Sequence, residues 1–203
     1  MLGLAGSPRR GGNSETLLDR ALAGAESRGA QINKIVVNEL AIKGCQHCDG
    51  CLSTGVCIID DDMQFLHRQF REVDRLILSS PLFFLGLPSQ VKAVIDRCQA
   101  LWVEKYLLNI RHQFASDGSH RRGLFICVGG MKKPHLFQGS IITVKAFFAT
   151  CDIEYGDELL TENIDEINAI EKHPTAKIDA FNLGVKLVEP QAVTAASALN
   201  SNS

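Results

Sequence analysis

The sequence carries almost no net charge, no long apolar run and no secretory leader, and each lack removes a class of function. Lysine and arginine number 21 against 23 acidic residues, a formal charge of −2. So even a balance provides no whole-molecule field for a phosphate polymer or an anionic membrane. Neither nucleic acid nor a membrane is therefore expected as a partner. No apolar segment reaches the roughly 18 residues of a membrane span. The opening stretch, MLGLAGSPRR, sets its arginines after a very short apolar run, the reverse of a secretory signal. A cytoplasmic location is the expectation. With 203 residues, 45% hydrophobic and 22% charged, the composition is that of one globular domain.

Cysteine, by contrast, is abundant. There are seven, and four of them, Cys45, Cys48, Cys51 and Cys57, fall within thirteen residues. A reducing compartment disfavours disulfides, so the crowding points to metal or redox chemistry.

The pattern along the chain alternates between short apolar strands and amphipathic helices. A strand over 1–5 runs into a polar turn, 6–14, and then a helix to about Arg28 with Leu17, Leu18, Ala21, Leu22 and Ala25 on one face. A β-branched stretch at 32–37 reads as the second strand. After the cysteine segment, Asp61 or Asp62 caps a helix spaced by Met63, Leu66, Phe70 and Val73. A buried strand through 76–78 leads to Ser80-Pro81, and Pro88 opens a long helix bearing Val91, Val94, Ile95, Cys98 and Leu101. A polar loop over 109–122 precedes a fourth strand at 123–128. A helix at 141–149, a short strand at 153–155 and a helix at 180–188 complete the reading. Five strands and five helices predict an α/β fold: a flavodoxin-like three-layer sandwich whose five-stranded parallel sheet has the order 2-1-3-4-5, with the cysteine-rich loop as an insertion. The domain is taken as 1–189, the cysteine loop as 44–57, and the tail, 190–203, as a segment for a subunit interface.

In such a fold ligands bind beyond the carboxyl ends of the strands. Three loops fall there. The first, Ser7 to Thr16, joins a strand to a helix N-terminus, where free N–H groups and the helix dipole favour an anion. Ser7, Ser14 and Thr16 add hydroxyls, Asn13 an amide and Arg9 a charge; the glycine and lysine spacing of a P-loop is missing. A capped helix after a polar turn is the plainer alternative. The second loop, Ser80 to Pro88, places Leu82, Phe83 and Phe84 where core residues or the wall of a slot for a flat ring would lie. The third, Gly129-Gly130-Met131, lets backbone approach a ligand. Together they describe a mononucleotide with an aromatic ring.

Three thiolates at two-residue intervals and a fourth five residues on, Cys45-x2-Cys48-x2-Cys51-x5-Cys57, can wrap a cubane cluster with one thiolate at each iron. Zinc more often uses two separated C-x2-C pairs. A structural zinc, an air-formed disulfide and unrelated free thiols stay open as alternatives. His47 lies inside the motif, and Cys98, Cys127 and Cys151 sit in apolar contexts that read as core.

Gly6-Ser7-Pro8-Arg9, the 45–63 segment, Ser80-Pro81 to Gly86, Val91 to Arg97 and Lys172-His173-Pro174 resemble the NAD(P)H-dependent FMN reductase-like branch of the flavodoxin superfamily. Within it, the chain is most similar to the iron–sulfur flavoproteins. The resemblance implies FMN and a [4Fe-4S] cluster. It implies phosphate contacts from Ser7, Arg9, Asn13, Ser14 and Thr16, and ring contacts from Pro81, Leu82, Phe83, Phe84, Gly86, Gly129 and Gly130. Cluster ligation falls to Cys45, Cys48, Cys51 and Cys57. The first strand is shorter than the family's usual opening, and Cys127-Val128 stand where hydroxyl residues are often found. The implied function is electron transfer from a one-electron donor such as ferredoxin to a small acceptor: a quinone, dioxygen or peroxide. No general base or nucleophile is required, and the expected state is a homodimer or homotetramer. An NAD(P)H-dependent FMN or quinone reductase without a cluster, and a flavin-binding redox sensor, are the competing readings. The charges at Arg111, His112, His120, Arg121 and Arg122 would serve a nicotinamide phosphate, an acidic ferredoxin, or solubility alone.

Overall fold

The fold is seen in a computed structural model that describes residues 1–112 and 114–190. The tail expected at 190–203 thus lies, from 191 onward, outside the described residues. Five parallel strands form one sheet: β1 (Leu2–Ala5), β2 (Asn33–Val36), β3 (Arg75–Pro81), β4 (Arg122–Val128) and β5 (Glu154–Thr161). Their spatial order is β2-β1-β3-β4-β5, as expected from the sequence. In register, Leu4 stands between Ile35 and Leu78, and Leu78 pairs with Phe125. β1, β3 and β4 are buried on both faces, which is why they read as unbroken apolar runs.

Among the described residues, six α-helices cover the sheet. On one face lie α1 (Asn13–Glu26) and α6 (Ala176–Val188), whose Leu17, Leu18, Ala21, Ala180 and Leu187 pack on Ile77, Leu124 and Ile126. On the other face lie α2 (Met63–Glu72), α3 (Ser89–Arg97), α4 (Gln99–Tyr106) and α5 (Gln138–Thr150). Met63, Phe70, Val91, Val94, Leu101, Phe147 and Phe148 surround Leu4, Leu78 and Phe125 there. Alternate residues of each strand feed the two cores, as the two-residue period of a strand requires. α1 and α6 cross closely through glycine: a Cβ on Gly184 would sit 1.8 Å from the Ala21 carbonyl oxygen, and one on Gly24 2.1 Å from that of Phe181.

Three expectations change. The single long helix from Pro88 is two, broken at Cys98, whose backbone leaves the helical region (φ −70°, ψ 4°), so the α-helices among the described residues number six. β5 is eight residues long rather than three, with a register shift opposite Gly123/Leu124 that makes room for Gly156. The loop at 109–122 is the third. It enters the amino end of β4, on the sheet edge opposite the ligand-binding edge. Arg121 in it is buried, not solvated: Nε donates to the Val73 carbonyl (2.6 Å), Nη1 to those of His112 (2.8 Å) and Cys151 (2.9 Å), and Nη2 to that of Phe70 (2.5 Å). That arginine staples the ends of α2, β4 and α5 and presents no charge to a partner. Arg122 is buried as well.

Candidate functional site

The carboxyl edge carries a cleft of about 210 Å³, lined from three of the expected loops and from one that the sequence reading passed over. Residues 7–9 and 12–14, with Pro81, Leu82, Phe83, Val128 and Gly130, form its walls, and Ile164 and Asp165 close it. Gly6 is what brings β1 close enough to its neighbours. Its N–H donates to the Ser79 carbonyl at 2.7 Å, and a Cβ there would lie 2.6 Å from Val91 Cγ2.

The turn between β1 and α1 is held from within. Ser7 Oγ accepts from the Arg9 N–H (3.1 Å), and Glu15 reaches back to accept from the Gly11 N–H (2.7 Å). Burial opposes ionisation of Glu15. Its bonds from Lys34 and the Gly11 N–H overcome that and hold the carboxyl below its usual range. Arg10 is turned away onto Glu39 (3.0 Å) and Glu15 (3.4 Å). Arg9 is exposed at the cleft and makes no ion pair among the described residues, which leaves its charge for an anion.

The remaining expected contacts divide. Asn13 lines the cleft, but its amide is engaged: Nδ2 donates to the Glu166 carbonyl (2.8 Å) and Oδ1 accepts from the Ile170 N–H (3.2 Å). It ties the start of α1 to the segment after β5. Ser14 is buried at the cleft wall, whereas Thr16 lies a turn further along α1 and is not among the lining residues. Pro81, Leu82, Phe83 and Gly130 line the cleft; Gly129 is buried beneath Leu136 and Phe137. Phe84 and Gly86 lie beyond the lining in a tight turn, where Phe83 and Gly86 exchange two backbone bonds of 2.9 Å. Phe84 (φ 48°) and Leu85 (φ 61°) occupy the left-handed region, costly for bulky residues, and hold their side chains out to solvent. Asp165 and Ile164 were missed because the 161–170 stretch, TENIDEINAI, carries no binding motif and lies between the elements read from the sequence.

The cysteine loop lies between the short 3₁₀ turn at Val37–Glu39 and α2. Cys45, Cys48, Cys51 and Cys57 are all free thiols, and all four line one hollow against Arg97, Gln99 and Ala100 of the α3–α4 junction. Burial raises the Cys51 thiol, and the nearby Cys57, Cys45 and Cys48 raise it further, so the four sulfurs sense one another. Among the described residues no three His, Cys, Asp or Glu side chains converge as a single metal ion needs. A tetrahedral zinc with bonds of about 2.3 Å requires such convergence, whereas a cubane cluster takes one thiolate at each of four separate irons. The donor set of four thiols fits the cluster. Cys98, Cys127 and Cys151 are buried in the core, as expected.

The loop's base is clasped by Arg97, which is 1% exposed. Its Nη1 donates to the Lys43 carbonyl (2.8 Å) and Asp61 Oδ2 (2.7 Å), and Nη2 to Asp61 Oδ1 (3.1 Å) and the Ile59 carbonyl (3.3 Å). Asp61 also accepts from the N–H groups of Lys43 (3.0 Å) and Met63 (3.1 Å). Gln64 donates to the carbonyls of Cys57 (2.6 Å) and Ile59 (2.9 Å). Inside the loop, the Gly55 N–H closes on the Cys51 carbonyl (2.8 Å) at φ 72°, and a Cβ there would meet Glu104 Cγ at 2.3 Å. Asp61 was expected only as a helix cap, and Arg97 was read only as part of a helix. No residue lines both the cleft and the hollow.

A parallel sheet in this order, with a turn rich in polar donors after its first strand and an apolar wall after its third, defines a flavodoxin-like protein of the kind that takes a mononucleotide at this edge. Residues 1–139 match the NADPH-dependent FMN reductase family, and the chain belongs to it. The chain is 40% identical over 138 residues to an iron–sulfur flavoprotein of Archaeoglobus fulgidus, a match covering 68% of this chain and 58% of that protein. It is 32% identical over 122 residues to one of Methanosarcina thermophila, covering 60% of this chain and 64% of the relative. It thus spans less than two thirds of either relative's length. Among solved structures, an NAD(P)H:quinone oxidoreductase from Methanothermobacter marburgensis superposes with a TM-score of 0.67 at 14% identity, over 94% of this chain and 98% of that one. A flavone reductase gives 0.67 at 18% identity over 92% and 60%. At those identities the likeness is one of fold. No helix among the described residues is long and apolar enough to cross a membrane.

Proposed function

We propose that the chain is an iron–sulfur flavoprotein: an oxidoreductase with FMN in the cleft and a [4Fe-4S] cluster in the cysteine loop. It takes electrons from a one-electron donor such as ferredoxin and delivers them to a small acceptor such as a quinone, dioxygen or peroxide. The observation that carries this reading is the set of four free thiols around one hollow, in a chain of an FMN reductase family. When bound, FMN accepts one or two electrons and the cluster one, which makes the pair a converter between one- and two-electron chemistry.

The chain's own residues bind and orient. Arg9 and the N-terminal amides of α1 neutralise a phosphate. Ser7 and Ser14 stand beside that anion, and Asn13 positions α1 against the segment after β5. Pro81, Leu82 and Phe83 supply the apolar wall for the ring, with Gly130 opposite, and Phe84 and Gly86 shape the turn that borders it. Cys45, Cys48, Cys51 and Cys57 hold the irons. The likeness to the iron–sulfur flavoproteins supports a homodimer or homotetramer in which transfer between the sites runs between copies of the chain, and among the described residues none lines both sites. Such an assembly would cover Phe84, Leu85, Trp102 and Tyr106, large apolar side chains that are exposed in the single chain.

The test is an anaerobic visible spectrum with iron, sulfide and zinc analysis on the same sample. Flavin bands with about four irons and four sulfides per chain are expected; one zinc without sulfide would refute the cluster. Rapid mixing with reduced ferredoxin, set beside NADPH, then identifies the donor. Flavin bleached by NADPH alone would favour the cluster-free reductase.

A further inference from the structure

Arg97 has one polar atom that the clasp does not use. Its two terminal nitrogens are committed to Asp61 and to the carbonyls of Lys43 and Ile59, but Nε is buried without a hydrogen-bond partner. A charged N–H left without an acceptor in a protein interior loses the hydration it would have in water, so such atoms are uncommon and call for an explanation. The hollow supplies one. Arg97 and Cys57 line it together, and the Cys57 sulfur is near enough to interact with the guanidinium. The main chain at Cys57 is held by Gln64, which donates to the Cys57 carbonyl. Cys57 thus stands beside a buried cation.

We propose that Arg97 donates its Nε–H to the Cys57 sulfur of the bound cluster and thereby raises the cluster's reduction potential, an inference that rests on the cluster reading above. Reduction adds one electron to the cluster, with no bond made or broken. The extra negative charge is shared with the ligating sulfurs. A positive N–H donor at one of them therefore stabilises the reduced state more than the oxidised one. Arg97 is a positioning residue in this account: it touches a ligand of the cluster and neither substrate nor acceptor. Asp61 sets the strength of the effect, since its carboxylate shares the guanidinium's charge.

The test uses the anaerobically reconstituted protein, with iron and sulfide measured on every sample and the cluster midpoint read by EPR-monitored redox titration. R97K keeps the charge and removes the planar Nε–H. Its midpoint is expected to fall by about 59 mV, a tenfold loss in the reduction equilibrium of a one-electron couple, and R97Q is expected to fall further. D61N leaves the donor and removes its counter-charge, so its midpoint is expected to rise. A fully loaded R97K with the wild-type midpoint would overturn the proposal. Should R97K assemble no cluster, D61N decides: a midpoint that is unmoved or lower would overturn it equally. Wild-type protein that holds neither iron nor sulfide would remove the cluster reading and this inference with it, whereas loaded wild type with unmoved variants removes this inference alone.

Discussion

His67 makes the fold sensitive to acid in a way that can be calculated. It lies on the inner face of α2, 1% exposed, with Nε2 2.9 Å from the Arg97 carbonyl oxygen. A carbonyl only accepts, so Nε2 carries the proton of the neutral ring. Burial pushes the ring's pKa down from 6.5 to about 4; the Arg97 carbonyl opposes the change, and the charges of Arg71 and Arg97 add to it. The folded pKa is thus below the unfolded one, and the unfolded chain binds the extra proton as pH falls. Stability therefore rises with pH across the window from about 4 to 6.5, and the penalty is fully developed below it. Between pH 7 and pH 5 the loss is about 2 kcal/mol, approaching about 3 kcal/mol below pH 4. His67→Gln removes the titration and keeps an N–H for the carbonyl. Urea denaturation of both proteins across that range, at matched cofactor loading, isolates the contribution, because other titrating groups are common to both. The variant is expected to lose about 2 kcal/mol less than wild type between pH 7 and pH 5. Parallel curves would refute the reasoning.

Three further outcomes are expected. Arg9→Ala removes the only full charge offered at the cleft by the turn and weakens FMN about tenfold or more, read by quenching of flavin fluorescence; a loss that does not shrink with salt would argue against a phosphate contact. Gly184→Ala inserts a methyl 1.8 Å from a backbone oxygen, so α6 must move off α1, at a cost of about 1–3 kcal/mol in chemical denaturation. Gly55→Ala meets both a left-handed φ and the Glu104 side chain, and is expected to lower iron and sulfide retention while far-ultraviolet circular dichroism stays at the wild-type level.

The legible parts of this protein were those written in contiguous residues. Leu76-Ile77-Leu78 and 123–128 read as strands because both faces of a central parallel strand are covered. The turn after β1 was legible because Ser7 to Ser14 holds a strand end, polar donors and a helix start in one stretch. The 83–86 turn was not, since Phe84 and Leu85 occupy positions where glycine or asparagine normally announces a left-handed backbone. The break at Cys98 also escaped, because the apolar spacing of α3 continues unaltered into α4.

By itself, then, the sequence determined the α/β alternation, the polar turn after the first strand and the spacing of four cysteines, all of which depend on local period and composition, while the strand order followed from the fold class that this alternation implies. Only the tertiary structure decided what Arg97, Arg121 and Asn13 do. Arg97 meets Asp61 from 36 residues away, Arg121 staples three elements through backbone carbonyls, and Asn13 reaches a carbonyl 153 residues distant. The reason is that a charged or amide side chain looks the same in sequence whether it faces water or closes a buried network. Packing alone takes the water away and leaves each such group the few partners that the fold brings within reach.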